Sequence, residues 1–132
     1  EPNQSLAGLT SKIFAKFDPL LASQGCDLML VQGDTTSVMV AALAAFYRQI
    51  SVGHVEAGLR THDIHRPFPE ELNRVVTSLV SGIHFAPTEQ ARANLLAEGV
   101  RESVVYTTGN TVVDALLDEI GERRVGKSVD LG

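Results

Sequence analysis

The sequence predicts an α/β fold built on a parallel, doubly wound sheet. Short continuous apolar runs alternate with amphipathic segments of helical length over most of the 132 residues. Such runs are typical of parallel strands covered on both faces, and the alternation indicates right-handed strand–helix–strand units. A hydrophobic content of 44% is enough for the core of one domain.

The predicted elements follow the order α-β-α-β-α-β-α-β-α. Four short apolar runs are predicted strands, namely residues 27–31, 50–55, 83–86 and 104–107. Segments with apolar residues at helical spacing are predicted helices, namely residues 6–21, 37–48, 72–80, 88–98 and 112–120. Pro19 and Gly25 are expected to end the first helix, and Thr111 and Asp114 to form a capping box at the last one. Because the chain begins in a helix rather than a strand, we expect a further element before it.

The acidic composition argues against several classes of partner. A net charge of −5 and an isoelectric point near 5.3 predict no binding to nucleic acid or to a membrane surface. No run reaches the roughly 18–20 apolar residues of a membrane-spanning helix, and the N-terminus lacks a signal-peptide pattern. The single cysteine, Cys26, excludes an internal disulfide and is expected to be a buried, unreactive thiol. A cytoplasmic protein is therefore predicted.

Acidic residues and an arginine are predicted to meet at one edge of the sheet. Asp34 follows the first predicted strand, and Glu56 follows the next strand 22 residues later. Glu70 and Arg74 begin the helix after that strand. Because ligands of open parallel sheets bind outside the carboxyl ends of the strands, we expect these side chains to open onto one crevice.

The turn after the first strand has two readings. Gly33 permits a tight turn, and Asp34, Thr35 and Thr36 suit a helix N-cap. Either a side chain simply caps the helix, or free N–H groups at the helix start hold an anion. The same two readings apply to residues 109–111, before the last predicted helix.

The segment 54–74 combines histidines, acids and arginines. Three imidazoles are of the right type to bind a metal, namely His54, His62 and His65. They lack the helical spacing and the cysteine partners of zinc sites, so no metal site is predicted. Three arginines lie in the same segment, namely Arg60, Arg66 and Arg74. They form either exposed ion pairs or contacts to an anionic ligand, and their position beside acids favours the ligand.

Five ordered motifs resemble the non-hydrolysing UDP-N-acetylglucosamine (UDP-GlcNAc) 2-epimerases of bacteria. They are Gly-Asp-Thr-Thr at 33–36, His-Val-Glu-Ala-Gly-Leu-Arg-Thr at 54–61, Pro-Glu-Glu-x-Asn-Arg at 69–74, Phe-Ala-Pro-Thr-Glu at 85–89 and Thr-Gly-Asn-Thr-Val-Val-Asp-Ala-Leu at 108–116. The resemblance implies two Rossmann-like halves of the GT-B type, with the active site between them. Residues 1–122 then correspond to part of the N-terminal half, and residues 123–132 to a tail or linker toward a second domain.

The sequence departs from this family in two respects. Gln32 stands where many members have histidine before the Gly-Asp pair. The family's first strand with its Gly-Thr-Arg-Pro-Glu loop, and its second half with a catalytic histidine, have no counterpart among the 132 residues. The resemblance thus implies a fragment that is inactive by itself.

The resemblance implies interconversion of UDP-GlcNAc and UDP-N-acetylmannosamine (UDP-ManNAc) by elimination and re-addition of UDP, without a cofactor. Asp34, Glu56 and Glu70 are assigned to acid/base and cation-stabilising work on this basis. Predicted substrate contacts are Arg60, Arg74, His54 and Thr35. Arg74 is expected either to orient Glu70 or to touch the substrate. A second UDP-N-acetylhexosamine as allosteric activator and a homodimer are further implications, and the alternative assignment of Glu70, Arg60 or Arg66 is to the subsite of that activator.

Three other functions stay open on the sequence. A hydrolysing 2-epimerase would release UDP and ManNAc, but such relatives tend to have a Gly-Gly-Glu-type run where this chain has residues 57–60, and lack the pair Asn73 and Arg74. A non-catalytic nucleotide-sugar-binding module would bind UDP without turnover. A GT-B glycosyltransferase would need an acceptor site, for which the sequence shows no motif.

Overall fold

The computed structural model describes residues 4–109, which form one parallel sheet with helices packed against it. The strands are β1 (Leu28–Gln32), β2 (Ser51–Val55), β3 (Ile83–Ala86) and β4 (Val105–Thr107). The helices are α1 (Leu6–Gln24), α2 (Thr36–Tyr47), α3 (Glu70–Val80) and α4 (Glu89–Ala97), with a 3-10 turn at Glu102–Val104. The predicted parallel α/β architecture is confirmed. The helix predicted at 112–120 and the tail at 123–132 lie outside the described residues.

The three crossover helices pack on one face of the sheet. The strands lie in chain order, β1-β2-β3-β4, so every right-handed crossover moves in the same direction and puts its helix on the same side. Val31, His54, His84 and Val105 align across the four strands on this face, and all are buried. One apolar cluster forms between β1, β2 and α2, and a second between β3, β4 and α4. Helix α1 packs on α2.

The opposite face of the sheet carries apolar side chains that the described helices leave open. Leu30 aligns with Gly53 and Ile83 on this face, and Phe85 stacks on Tyr106 with ring centroids 5.9 Å apart. Leu30 is 59% exposed and Tyr106 is 53% exposed. Within residues 4–109, helices therefore cover one face of the sheet, whereas a doubly wound arrangement has them on both.

Helix α1 runs further than its sequence pattern predicts. Ser5 caps its start by accepting a hydrogen bond from the Gly8 amide at 3.0 Å. The helix continues through Pro19 to Gln24, so the expectation that Pro19 marks its end is wrong. A proline removes one backbone hydrogen bond, which the packing of α1 on α2 outweighs. Gly25 does end the helix, in the left-handed conformation (φ 61°) that glycine adopts readily.

None of the described helices is both long enough and apolar enough to cross a membrane. Cys26 carries a free thiol and is partly rather than fully buried, packed against the cluster on α2. The expected buried thiol is thus half-buried at the edge of the core.

Replacing Gly58 with alanine is expected to lower the free energy of unfolding by about 3 kcal/mol. Gly58 has a φ of +88°, and a Cβ there would clash with the carbonyl oxygen of Ala91 in α4. The alanine therefore adds both backbone strain and a clash with a helix backbone, which cannot move aside like a flexible side chain. Urea unfolding of the variant and the parent protein measures the loss.

Gly99→Ala is the matched control for this prediction. Gly99 has a similar φ of +93°, but a Cβ there meets no atom within 4 Å. Only the backbone penalty remains, about 1 kcal/mol. Equal losses for the two variants would show that the close approach of Gly58 to α4 does not matter.

Candidate active site

The predicted carboxylates lie along the carboxyl edge of the sheet. Strand β1 ends at Gln32 and the adjacent parallel strand β2 ends at Val55, so Asp34 and Glu56 follow neighbouring strand ends. Glu70 is the first residue of α3, which crosses from the same edge. The β/α alternation thus brings the three predicted acid/base residues to one region of the molecule.

Glu56 is held in a strained backbone conformation beside β1. Its φ is 66°, in the left-handed region that non-glycine residues rarely occupy. The side-chain amide of Gln32 donates a hydrogen bond to Glu56 Oε1 at 2.9 Å. Such strain is found at functional sites more often than elsewhere, because a surrounding structure must maintain it.

Arg74 bridges two carboxylates. Its Nε and Nη2 donate to Asp34 Oδ2 at 3.1 and 2.8 Å, and its Nη1 donates to Glu71 Oε1 at 3.0 Å. No other hydrogen bond from residues 4–109 reaches the Asp34 carboxylate, so none of these residues donates to its Oδ1. Arg74 therefore orients Asp34 and Glu71. The prediction that Arg74 orients Glu70 is wrong.

The backbone of the Asp34 turn is fixed as well. The Asn73 side-chain amide donates to the Asp34 carbonyl oxygen at 3.0 Å. Thr35 caps α2, because its hydroxyl accepts from the Val38 amide at 3.2 Å. Helix capping is therefore realised at this turn, by Thr35 rather than Asp34, and binding of an anion by the free N–H groups at the helix start stays a prediction. The Asp34 side chain is left to face Arg74.

Glu71 is a site residue that the sequence reasoning missed. Glu71 is buried, with only 1% of the residue exposed. Its Oε2 accepts hydrogen bonds from the amides of Thr61 and His62 at 3.0 and 3.1 Å. Burial raises the pKa of Glu71, but the hydrogen bonds from Arg74, Thr61 and His62 outweigh it and lower the pKa below its usual value. The carboxylate is therefore charged at neutral pH. Its i,i+3 spacing to Arg74 was the available sequence signal.

Arg60, a predicted substrate contact, is enclosed by protein. Its side chain is 1% exposed, and its Nε and Nη2 donate to the two Glu98 carboxylate oxygens at 2.8 and 3.0 Å. Nη2 also donates to the Ser78 hydroxyl at 2.8 Å. Arg60 thus joins α3 to the end of α4, and the structure does not bring it into the group formed by Asp34, Arg74 and Glu71.

The loop between β2 and α3 carries the other charged residues of the segment. His62 has a positive φ of 64°, and Asp63 Oδ1 accepts from the His65 amide at 3.0 Å. Arg66 forms a long, exposed ion pair with Asp63 at 3.7 Å. Within the part of the chain that the structure describes, no three His, Cys, Asp or Glu side chains are grouped so that they could hold a metal ion.

His54, another predicted substrate contact, is fully buried beneath the Asp34 turn. Its Nε2 lies 2.9 Å from the carbonyl oxygen of Gly33, so the protonated nitrogen donates to the residue before Asp34. His54 aligns with the buried His84 on β3. The Nδ1 atoms of both rings are buried and find no hydrogen-bond partner among residues 4–109. His54 therefore supports the turn from below.

Lowering the pH below about 6.5 is expected to destabilise the protein through His54 and His84. Burial is the main effect that lowers the pKa of both imidazoles in the folded state. In the unfolded chain they titrate near their usual pKa of about 6.5, so that state binds more protons as the pH falls. The contribution to stability is complete above that pH and is lost as the pH decreases toward the lowered pKa values.

Urea unfolding between about pH 7.5 and 5.5 measures the slope of the free energy of unfolding against pH. Carboxylates titrate mostly below that window. His84→Gln is expected to reduce the slope, and His65→Gln, which removes an exposed imidazole, is expected to leave it unchanged. A free energy of unfolding that does not vary across the window contradicts the prediction.

The chain is similar to UDP-GlcNAc 2-epimerases over nearly its whole length. A family model described as UDP-N-acetylglucosamine 2-epimerase matches residues 1–129. The UDP-N-acetylglucosamine 2-epimerase of Escherichia coli K12 is 51% identical over 117 residues, which are 89% of this chain and 31% of that protein.

Solved structures agree with this similarity. UDP-GlcNAc 2-epimerase from Neisseria meningitidis, bound to UDP-GlcNAc, matches with a TM-score of 0.90 and 47% identity over 95% of this chain and 34% of that one. The Methanocaldococcus jannaschii enzyme in complex with UDP-GlcNAc and UDP matches with a TM-score of 0.86 and 41% identity, at the same coverage of 95% and 34%. The chain thus spans about a third of the length of these relatives. On the match over residues 1–129, the chain belongs to the UDP-N-acetylglucosamine 2-epimerase family.

Proposed function

We propose that the complete protein containing this chain interconverts UDP-GlcNAc and UDP-ManNAc, without hydrolysis, by eliminating and re-adding UDP. One observation carries the proposal: at one edge of the sheet lie Asp34, Glu56 and Glu70, the last at the start of α3, in a chain of this family. Because the chain spans about a third of its relatives, the activity is proposed for the complete protein.

The chemistry explains why several carboxylates are required. The proton on C2 of the sugar is not next to a carbonyl group, so a carboxylate cannot remove it directly at a useful rate. Breaking the C1–O bond first expels UDP and gives C1 oxocarbenium character, which acidifies C2–H. Loss of that proton leaves a 2-acetamidoglucal. UDP then adds back to C1 while C2 receives a proton on the opposite face.

Carboxylates can serve this route in two ways, as acid/base groups near the two faces of C2 and as negative charge near the cation. Asp34 offers Oδ1 for proton transfer while Arg74 holds Oδ2. Glu70 is half-buried, and its carboxylate forms no hydrogen bond or ion pair with residues 4–109, so within this part of the chain it is open to a ligand. Glu56 is oriented by Gln32.

The proposed substrate is a UDP-N-acetylhexosamine, the class of ligand in the Neisseria meningitidis and Methanocaldococcus jannaschii structures. Thr35 and Arg74 are proposed to contact it, whereas His54 supports the Asp34 turn from inside the protein and Arg60 joins α3 to the end of α4. On the family resemblance alone, the proposal includes a cytoplasmic homodimer and a second UDP-N-acetylhexosamine that acts as an activator.

Turnover of UDP-GlcNAc in deuterated water tests the proposal. The complete protein is expected to form UDP-ManNAc with deuterium at C2, as detected by ¹H and ³¹P NMR. Free ManNAc with UDP would indicate the hydrolysing reaction instead. Binding of UDP without conversion would indicate a non-catalytic module, and conversion without deuterium at C2 would rule out the elimination route.

A further inference from the structure

We infer that Glu71 is a positioning residue for the carboxylate of Asp34, acting through Arg74. The effect on catalysis rests on the proposed function, whereas the positioning of Asp34 by Glu71 rests on the hydrogen bonds alone. Glu71 directly follows Glu70, one of the three candidate acid/base residues, so the two glutamates at the start of α3 have different tasks.

The hydrogen bonds of Glu71 join three segments of the chain. Oε2 accepts from the amides of Thr61 and His62 in the loop before α3, and Oε1 accepts from Arg74 one turn later in the helix. Arg74 carries the connection on to Asp34, which is 40 residues away in sequence. A single buried carboxylate thereby couples the loop, α3 and the turn after β1.

The division of the Arg74 nitrogens makes the coupling directional. Nε and Nη2 both point at Asp34 Oδ2, and Nη1 points at Glu71. The guanidinium is rigid and planar, so fixing Nη1 also fixes the plane in which the other two nitrogens meet Asp34. Without the Glu71 charge, Arg74 loses one of its two anchors, and the Asp34 side chain loses a defined direction for Oδ1.

Glu71 cannot itself serve the substrate in this arrangement. Glu71 is 1% exposed, and both oxygens of its carboxylate accept hydrogen bonds from protein donors. Glu70 is half-buried and has no such bonds among residues 4–109. Successive helical residues point about 100° apart, which lets one glutamate face the crevice while the next faces the protein.

Hydrogen–deuterium exchange of the complete protein tests the positioning without relying on activity. Glu71→Gln keeps the shape of the side chain but removes its charge and one acceptor. We expect the Thr61 and His62 amides, and those of the segment 33–38, to exchange about tenfold faster. Glu102→Gln, an exposed matched change, is expected to alter neither segment. Unchanged exchange at 33–38 overturns the inference, because Glu71 would then not order the Asp34 turn.

Kinetics of the same variants test the consequence for catalysis. Glu71→Gln is expected to lower kcat by about 10–100-fold with little change in KM, since small misplacements of a reacting group cost this much. In an Asp34→Asn background the same change is expected to cost less than about twofold, because there is no acid/base group left to position. A loss of equal size in both backgrounds means a general structural effect and overturns the inference.

The two arms separate the possible failures. If the parent protein does not epimerise UDP-GlcNAc, the proposed function is wrong, and the exchange rates at 33–38 still decide whether Glu71 orders the Asp34 turn. If the parent is active and both Glu71→Gln readouts match those of Glu102→Gln, the inference fails while the proposed function stands.

Discussion

Asp34→Asn is expected to lower kcat of the complete protein by about 10²–10⁴-fold, the usual contribution of a positioned acid/base group. The amide has the shape of the carboxylate but cannot exchange a proton with C2 or stabilise a cation by its charge. KM is expected to change little, because Arg74 remains in place beside Glu71. Steady-state rates and deuterium incorporation at C2 measure the effect.

Asp18→Asn provides a matched control for this variant. Asp18 also receives two hydrogen bonds from one arginine, Arg48, but this pair lies at the other end of α2 from Asp34, about 18 Å along the helix. The control therefore removes an equivalent ion pair without touching the crevice, and its kcat is expected to stay at the parent value. Near-normal turnover in Asp34→Asn would remove Asp34 from the mechanism.

The strands, and the edge of the sheet at which Asp34, Glu56 and Glu70 lie, are predictable because both follow from local patterns. The runs predicted as strands at 50–55 and 83–86 match β2 (Ser51–Val55) and β3 (Ile83–Ala86) closely. Once the strands are parallel, the residues after their carboxyl ends must share an edge, whatever the side chains do. The error at Pro19 has the same origin, since a local rule for ending helices takes no account of the packing between α1 and α2.

The partners of the charged side chains are not predictable in the same way. Arg60 and Arg74 are the same type of residue in the same charged segment, yet Arg60 pairs with Glu98 and Arg74 with Asp34, 38 and 40 residues away. Which pairing forms depends on how the crossover helices pack, and that is a long-range property of the fold. The separate tasks of Glu70 and Glu71 depend in turn on the helical phase of α3 and on the path of the loop before it.

Arg74→Met is expected to lower the free energy of unfolding by about 3–5 kcal/mol at neutral pH, the cost of leaving a buried charge without its partner. Glu71 would keep the amides of Thr61 and His62 but lose its cation, so its pKa would be higher in the folded variant than in the folded parent. The loss relative to the parent is therefore expected to be largest at neutral pH and to shrink as the pH falls and Glu71 takes up a proton in the folded variant before it does so in the parent. Urea unfolding of both proteins at several pH values measures it.

A second substitution separates this mechanism from simple loss of packing. In the Arg74→Met background, Glu71→Gln removes the buried charge, while its side-chain oxygen can still accept from the Thr61 or His62 amide. The substitution is therefore expected to restore part of the lost stability. It is also expected to abolish the pH dependence of the stability difference from the parent. In the parent background the same change is expected to destabilise, because it breaks the pair with Arg74. A change of sign between the two backgrounds is the result that a buried, compensated charge requires. If Glu71→Gln destabilises both backgrounds equally, the charge of Glu71 is not what Arg74 compensates, and the bridge from Asp34 through Arg74 to Glu71 contributes packing alone.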